Sequence, residues 1–287
     1  VHMKAFNTGD DAVLALVDTD RYPIDALETP EGAAFLQDCQ DSMADHGWCN
    51  LDGFIRPEAI AALREEARAL LPTAQTLRVR RTIYQGQVED GLDQDDLLNR
   101  EYTHVAQQLA DDQIPASTRI KRLYHSPLLT DFVRRVQRKE QLYICADDFQ
   151  ALNVVALNPG GRHAWHYDTT ECTVTLLIQS AEQGGDFAFL PNSRTGSSED
   201  KAAVRRLLGG DMSHAQTFAR GEGAFTLFRG GYSLHGVTEV EGNRPRISAV
   251  LTYDEQPDRV ISDDINIRIY GPRVEQIIAQ RNQGNQP

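Results

Sequence analysis

No apolar run in this 287-residue chain approaches the ~18 residues that mark a membrane span, so a membrane protein is not expected. No positively charged leader precedes an apolar stretch, so export is not expected either. Val1-His2-Met3 reads as a cloning remnant ahead of a native start. Cysteine is sparse: Cys39, Cys49, Cys145 and Cys172 are scattered without CxxC spacing. That argues against a zinc ribbon or disulfide framework and for reduced thiols in the cytosol. No basic block offsets a formal net charge of −13, made by 42 acidic against 29 basic residues. Such a surface repels phosphate backbones, so a nucleic-acid partner is disfavoured.

What is present changes texture along the chain. Residues 1–30 are mixed and rich in Asp and Thr, and read as an irregular arm. Helices are expected over 30–44, over 59–71 behind Arg56-Pro57-Glu58, and over 128–136 behind a Ser126 cap with Pro127 in first position. Gly47 to Leu51 reads as a short strand. Residues 86–100 hold Glu89, Asp90, Asp93, Asp95 and Asp96, and read as a mobile lid or as plain acidic surface. After Gln141, short strands follow at 142–145, 151–157, 172–179, 187–190, 223–228 and 247–253, punctuated by Gly, Pro and Asn. A helix at 202–208 is inserted among them. Short antiparallel strands with such turns suit a double-sheet jelly roll. The expectation is an α+β fold: a cupin-like double-stranded β-helix with N-terminal and backing helices. It is read as a single domain, with a helical front half at about 1–140, a jelly-roll core at about 141–255 and a C-terminal extension at 256–287.

His166-Tyr167-Asp168 is followed 67 residues after Asp168 by His235, and eleven residues later by Arg246. Two imidazoles and one carboxylate can cap one face of an octahedral metal and leave three positions open, which suits Fe(II). On a strand, residues i and i+2 point to the same side, so His166 and Asp168 could reach one ion. A lone HxD tripeptide is weak evidence; the distant His and Arg strengthen it. Arg246 opens an apolar strand whose alternation puts Ser248, Val250 and Thr252 on its face. A guanidinium there needs a partner, and its fork fits a carboxylate, with Ser248 as a further donor. Arg244, in the turn before Pro245, is the competing candidate.

Several stretches carry a family resemblance: His166-Tyr167-Asp168, Thr173 to Gln179, Gly184-Gly185-Asp186-Phe187, Leu227 to Gly230, Leu234-His235-Gly236-Val237 and Arg244 to Ser248. They resemble the Fe(II)/2-oxoglutarate-dependent oxygenases, and within them the hydroxylase relatives of free-amino-acid radical halogenases. The resemblance covers about 140–255 well and the front half loosely. It implies Fe(II) held by His166, Asp168 and His235 as the catalytic centre, 2-oxoglutarate anchored by Arg246 and Ser248, and O2 as the other cosubstrate. Halogenases of this kind carry a small residue where this chain has Asp168, which frees a metal position for chloride. The carboxylate here favours hydroxylation.

Softer candidates surround these. Asn153 and Thr175, the latter on one strand face with Thr173, could contact the cosubstrate. His163 and Thr169 could contact a substrate, although His163 also suits a turn or support of the metal site. Asp147 and Asp148 read as a turn or a site for a cationic group, and Trp165 and Tyr167 as packing. The implied activity is hydroxylation of an unactivated carbon in a small polar molecule, first a free amino acid or derivative, with succinate and CO2 released. Desaturation or cyclisation, a carrier-bound or peptide substrate, and a non-catalytic cupin-like binding protein remain open.

Overall fold

The computed structural model describes residues 8–284 apart from 89, 92, 94, 218 and 219. Val1-His2-Met3 and Glu89 therefore lie outside the described residues. The chain runs through α1 (Thr8–Leu14), α2 (Pro30–His46), β1 (Trp48–Leu51), α3 (Pro57–Leu70), β2 (Thr76–Thr82), β3 (Glu101–Leu109), α4 (Arg119–Tyr124) and α5 (Pro127–Val136). It continues through β4 (Tyr143–Ile144), β5 (Leu152–Leu157), β6 (His163–His166), β7 (Cys172–Gln179), β8 (Gln183–Gly184), β9 (Phe187–Leu190) and α6 (Lys201–Leu208). It ends in β10 (Gln216–Thr217), β11 (Phe225–Arg229), β12 (Leu234–Val237), β13 (Val240–Glu241), β14 (Arg246–Asp254), α7 (Asp263–Tyr270) and α8 (Pro272–Gly284).

Local chemistry sets the helix ends. Thr29 accepts from the Gly32 N–H at the start of α2, which stops at Gly47, where φ is 79°. Ser126 accepts from the Leu129 N–H ahead of α5, with Pro127 supplying a preset φ. No helix among the described residues is long and apolar enough to cross a membrane.

Two antiparallel sheets position everything else. The larger has the order β1-β11-β7-β14-β5-β3-β2, with β4 also on β14; the smaller has the order β10-β9-β12-β6. Strand alternation gives the larger sheet two unlike faces. Ile247, Ala249, Leu251 and Tyr253 of β14 bury with Leu152, Val154 and Ala156 of β5, and with Met43, Leu63 and Phe132 from the helices. The intervening side chains, Arg246, Ser248, Val250 and Thr252, with Asn153 and Thr175, line a cavity that the smaller sheet covers with His166, His235 and Phe187. Register aligns them: Val250 pairs with Asn153 on one side and Thr175 on the other.

Two expectations need correction. The front half is not simply helical, since β2 and β3 extend the large sheet. β2 carries Arg78, Arg80 and Arg81, with only Leu77 and Val79 as apolar alternation, because it is an edge strand, where charge is tolerated and discourages pairing with other chains. The arm before residue 30 carries α1 and buries Val13, Val17, Ile24 and Leu27 in the main core, with Val17 bridged to Ile55. The acidic 86–100 segment is tied down at one end: Leu98 is buried in a second apolar cluster, and Asp96 pairs with Arg205 of α6.

Candidate active site

The two histidines come together because β6 and β12 pair antiparallel with His166 and His235 as directly opposed residues. Opposed side chains on one sheet face are neighbours by construction. Each ring is oriented through Nδ1, to the Ala164 carbonyl at 2.7 Å for His166 and to the Ser233 carbonyl at 2.9 Å for His235. An Nδ1–H donating to a carbonyl assigns the tautomer whose Nε2 lone pair faces the cavity, the form a metal needs.

Asp168 lies just past the end of β6, so the expected i, i+2 placement on one strand holds for His166 alone. The Tyr167 N–H donates to Ile83 at 2.7 Å and the Asp168 N–H to Gly230 at 3.0 Å, which turns the chain out of the ladder. Asp168 Oδ1 then stands 3.6 Å from His166 Nε2 and 3.3 Å from His235 Nε2. One ligand atom from each residue lies within 4.8 Å of the other two. Oδ2 is buried without a partner. Gly230 makes room for it: a Cβ there would fall 1.9 Å from Oδ2. Two converging imidazole nitrogens and a carboxylate oxygen fit a divalent first-row ion such as Fe(II).

The electrostatics agree. Burial opposes ionisation of Asp168, but the His235 charge and the His166 imidazole beside it hold its carboxyl well below the usual range. Burial lowers His166, with the His235 charge adding to it. Burial also opposes charge on His235, yet the Asp168 carboxylate outweighs it and raises that group.

Around this cluster the cavity sorts the remaining candidates. Arg246 is 5% exposed and donates from Nη1 to Ser248 Oγ at 3.0 Å. Ser248 therefore accepts from the guanidinium, and its own hydrogen stays available to a ligand. Burial brings Arg246 down to about 10. Arg244 is at the surface, hydrogen-bonded to Glu222, and does not line the cavity. Thr173 and Thr175 line it with buried hydroxyls that have no partner, as His163 does with its Nε2. Thr169 lines it too, donating to Gln150 Oε1 at 2.9 Å. Asn153 is there, but its amide is committed to the Phe149 carbonyl, Gln108 and Tyr270.

Asp147 is a turn hub, accepting from the N–H groups of Phe149, Gln150 and Ile261 and from Asn266 Nδ2. Asp148 pairs with Arg281 at 2.9 Å. Tyr167 points away from the metal side, toward Ser193 and Glu199, and Trp165 packs on the same apolar cluster.

Sequence reasoning missed Arg81, Gln85, Gln108, Gln150 and Tyr270, which all line the cavity. Arg81 is 5% exposed, its Nε has no partner, and burial brings it down to about 10. His104, 1% exposed, packs against His163 and His166 with neither ring nitrogen partnered.

A family model described as Halogenase D matches residues 32–270. Among solved structures, the non-heme alpha ketoglutarate dependent epimerase SnoN from nogalamycin biosynthesis is 18% identical, with a TM-score of 0.57 over 78% of this chain and 82% of that one. HygX from Streptomyces hygroscopicus, solved with nickel, 2-oxoglutarate and hygromycin B bound, is 13% identical, with a TM-score of 0.52 over 77% of this chain and 87% of that one. A 2OG-Fe(II) oxygenase family oxidoreductase from Burkholderia pseudomallei is 15% identical, with a TM-score of 0.50 over 78% and 92%. These likenesses are of fold, and they bear out the α+β jelly roll. No curated protein matches the chain.

Proposed function

The chain belongs to the Halogenase D family, within the Fe(II)/2-oxoglutarate oxygenases, and from that premise we propose that it hydroxylates an unactivated carbon of a small amino acid or related carboxylic acid. One observation carries the reading: the His166, Asp168 and His235 ligand atoms and the buried Arg246–Ser248 pair share one cavity. His166, Asp168 and His235 would hold the iron, and Arg246 with Ser248 the far carboxylate of 2-oxoglutarate. Iron, 2-oxoglutarate and O2 together supply, when bound, an oxidant able to take hydrogen from an unactivated carbon, with succinate and CO2 as co-products.

The protein's part is placement. The carbonyls of Ala164 and Ser233 fix the two imidazoles, and Gly230 leaves space for the carboxylate between them. Asp168 occupies the place that halide would need, which favours hydroxylation over the reaction for which the family is described. The apolar walls Val155, Phe187, Phe228 and Val250 exclude water from the reacting carbon.

The substrate class follows from charge. Arg81 and Arg246 line the cavity with Asp168, and Asp168 is taken by the metal. With Arg246 on the cosubstrate, Arg81 is left for a substrate carboxylate, and His163 Nε2 is close to the same wall. Gln85, Gln150 and Thr169 offer neutral hydrogen bonds to the rest. Among the described lining residues no carboxylate remains for a cationic side chain, so neutral or acidic amino acids fit better than basic ones.

The test is an anaerobic titration of the iron-loaded protein with 2-oxoglutarate, watching for the weak visible metal-to-ligand charge-transfer band. Oxygen and a panel of amino acids follow, with succinate and hydroxylated product read by mass spectrometry. A band with substrate-dependent succinate is expected. Bound iron without the band would refute the reading.

A further inference from the structure

Two buried oxygens beside the candidate metal cluster have no partner and border the same niche. One is Asp168 Oδ2 and the other is Thr173 Oγ1. Gly230 forms the floor of that niche: a Cβ there would meet Asp168 Oδ2 at 1.9 Å and Thr173 Oγ1 at 2.9 Å, ahead of any other residue. The Asp168 N–H donates to the Gly230 carbonyl at 3.0 Å, which fastens the residue over the glycine. Oδ1 alone then approaches the two imidazoles, at 3.6 Å and 3.3 Å from their Nε2 atoms.

The two open oxygens answer each other. A buried carboxylate oxygen without a donor is costly, and so is a buried hydroxyl without an acceptor. Thr173 is 3% exposed, so water does not meet its hydroxyl from outside. A threonine O–H can rotate to suit an acceptor, and a hydroxyl given to a carboxylate makes a short, charge-assisted bond. Strand register sets Thr173 apart from the cosubstrate end of the cavity. It pairs with Thr252 of β14, four residues beyond Ser248 and roughly 13 Å along the strand from it. Thr175, on the same face of β7, pairs with Val250 and stands closer to Arg246 and Ser248.

We propose that Thr173 is a positioning residue for Asp168: its hydroxyl holds Oδ2, so that the carboxylate offers a metal Oδ1 alone. This rests on the function proposed above. A carboxylate free to turn can present both oxygens or neither, whereas one held by its far oxygen presents one. Three positions of an octahedral ion then stay open for 2-oxoglutarate and oxygen. Thr173 acts through Asp168 and touches neither metal nor reactant.

The experiment is a cobalt(II) titration of the full chain, read by calorimetry and visible absorption without turnover. Thr173→Val keeps the shape of the side chain and removes the hydroxyl. It should weaken cobalt about 10-fold or more and alter the visible band. Thr173→Ser keeps the hydroxyl and should restore most of the affinity and the band. In an Asp168→Ala background Thr173→Val should cost nothing further, because the oxygen that it serves is gone. Melting with a chelator present separates a folding defect from a loss of metal, and Thr173→Ala carries the same comparison where the valine variant folds poorly. Equal cobalt affinity in wild type and Thr173→Val would overturn the proposal. So would a serine variant as weak as the valine one, or the same loss with and without Asp168. A wild type that binds neither cobalt nor iron would instead refute the proposed function, and this role with it.

Discussion

Gly230→Ala is the substitution whose consequence the structure specifies most closely. The added methyl would sit 1.9 Å from Asp168 Oδ2 and 2.7 Å from its Cγ. An ordinary non-bonded separation is about 3.5 Å, so the carboxylate must retreat by roughly 1.5 Å. Metal ligands tolerate about 0.2 Å, so Oδ1 leaves its place between the two Nε2 atoms. Displacing a group that orients a ligand typically costs about 10- to 100-fold in metal affinity. Overpacking adds about 1–3 kcal/mol of destabilisation, a melting-temperature drop of several degrees for a chain of this size. Cobalt(II) titration, followed by visible absorption and calorimetry, reads the affinity. Melting in the presence of a chelator reads the fold. Unchanged cobalt affinity would refute the assignment of Asp168 as a ligand. Repeating the substitution in an Asp168→Ala background closes the argument: with the carboxylate gone the methyl crowds only the Thr173 hydroxyl, 2.9 Å away, so no further loss of metal affinity is expected. A further loss there would place the role of the glycine elsewhere.

Three other outcomes are expected. Arg246→Ala should weaken 2-oxoglutarate by about 2–5 kcal/mol, roughly 30-fold or more, with metal affinity preserved, while Arg244→Ala should leave both intact; equal effects would contradict their placement. Arg81→Met should raise the substrate Kd by about 10-fold or more and leave the 2-oxoglutarate titration unmoved, and an unchanged substrate Kd would remove Arg81 from the site. His104 carries a pH signature. Burial, aided by the Arg81 charge, pushes its pKa far below the usual value, so the folded chain declines a proton that the unfolded chain accepts as pH falls through about 6.5. Its contribution is full above that pH and declines below it by about 1.4 kcal/mol per unit. Chelated wild type should therefore lose about 1 kcal/mol more than His104→Phe between pH 6.5 and 5.5, and parallel profiles would refute the buried neutral imidazole.

The candidate metal cluster was legible because two imidazoles and a carboxylate make a metal donor set, and because a second His precedes an Arg-bearing strand. Arg246 was legible for a related reason: a charge at an even position of an otherwise apolar strand must face something polar. Arg81 was not. It follows Arg80 in an edge strand, and the two differ in burial because consecutive strand residues face opposite sides of the sheet, Arg80 outward and Arg81 into the cavity. Tyr270 was hidden because α7 returns from beyond the last strand to close one end of the cavity, a contact with no local signature. Strands β2 and β3 escaped because edge and near-edge positions relax the apolar alternation that marks a strand.

Residue parity along β14 has a consequence for how such a protein can change. Positions 247, 249, 251 and 253 bear on the helices and belong to the main core, while 246, 248, 250 and 252 face the cavity. Heritable variation at the second set alters what is gripped and leaves the packing of the first in place, so a lineage can exchange one acid for another without passing through unfolded intermediates. A mutagenesis library confined to the even positions should accordingly hold many folded members with diverse appetites, whereas one confined to the odd positions should hold few folded members at all.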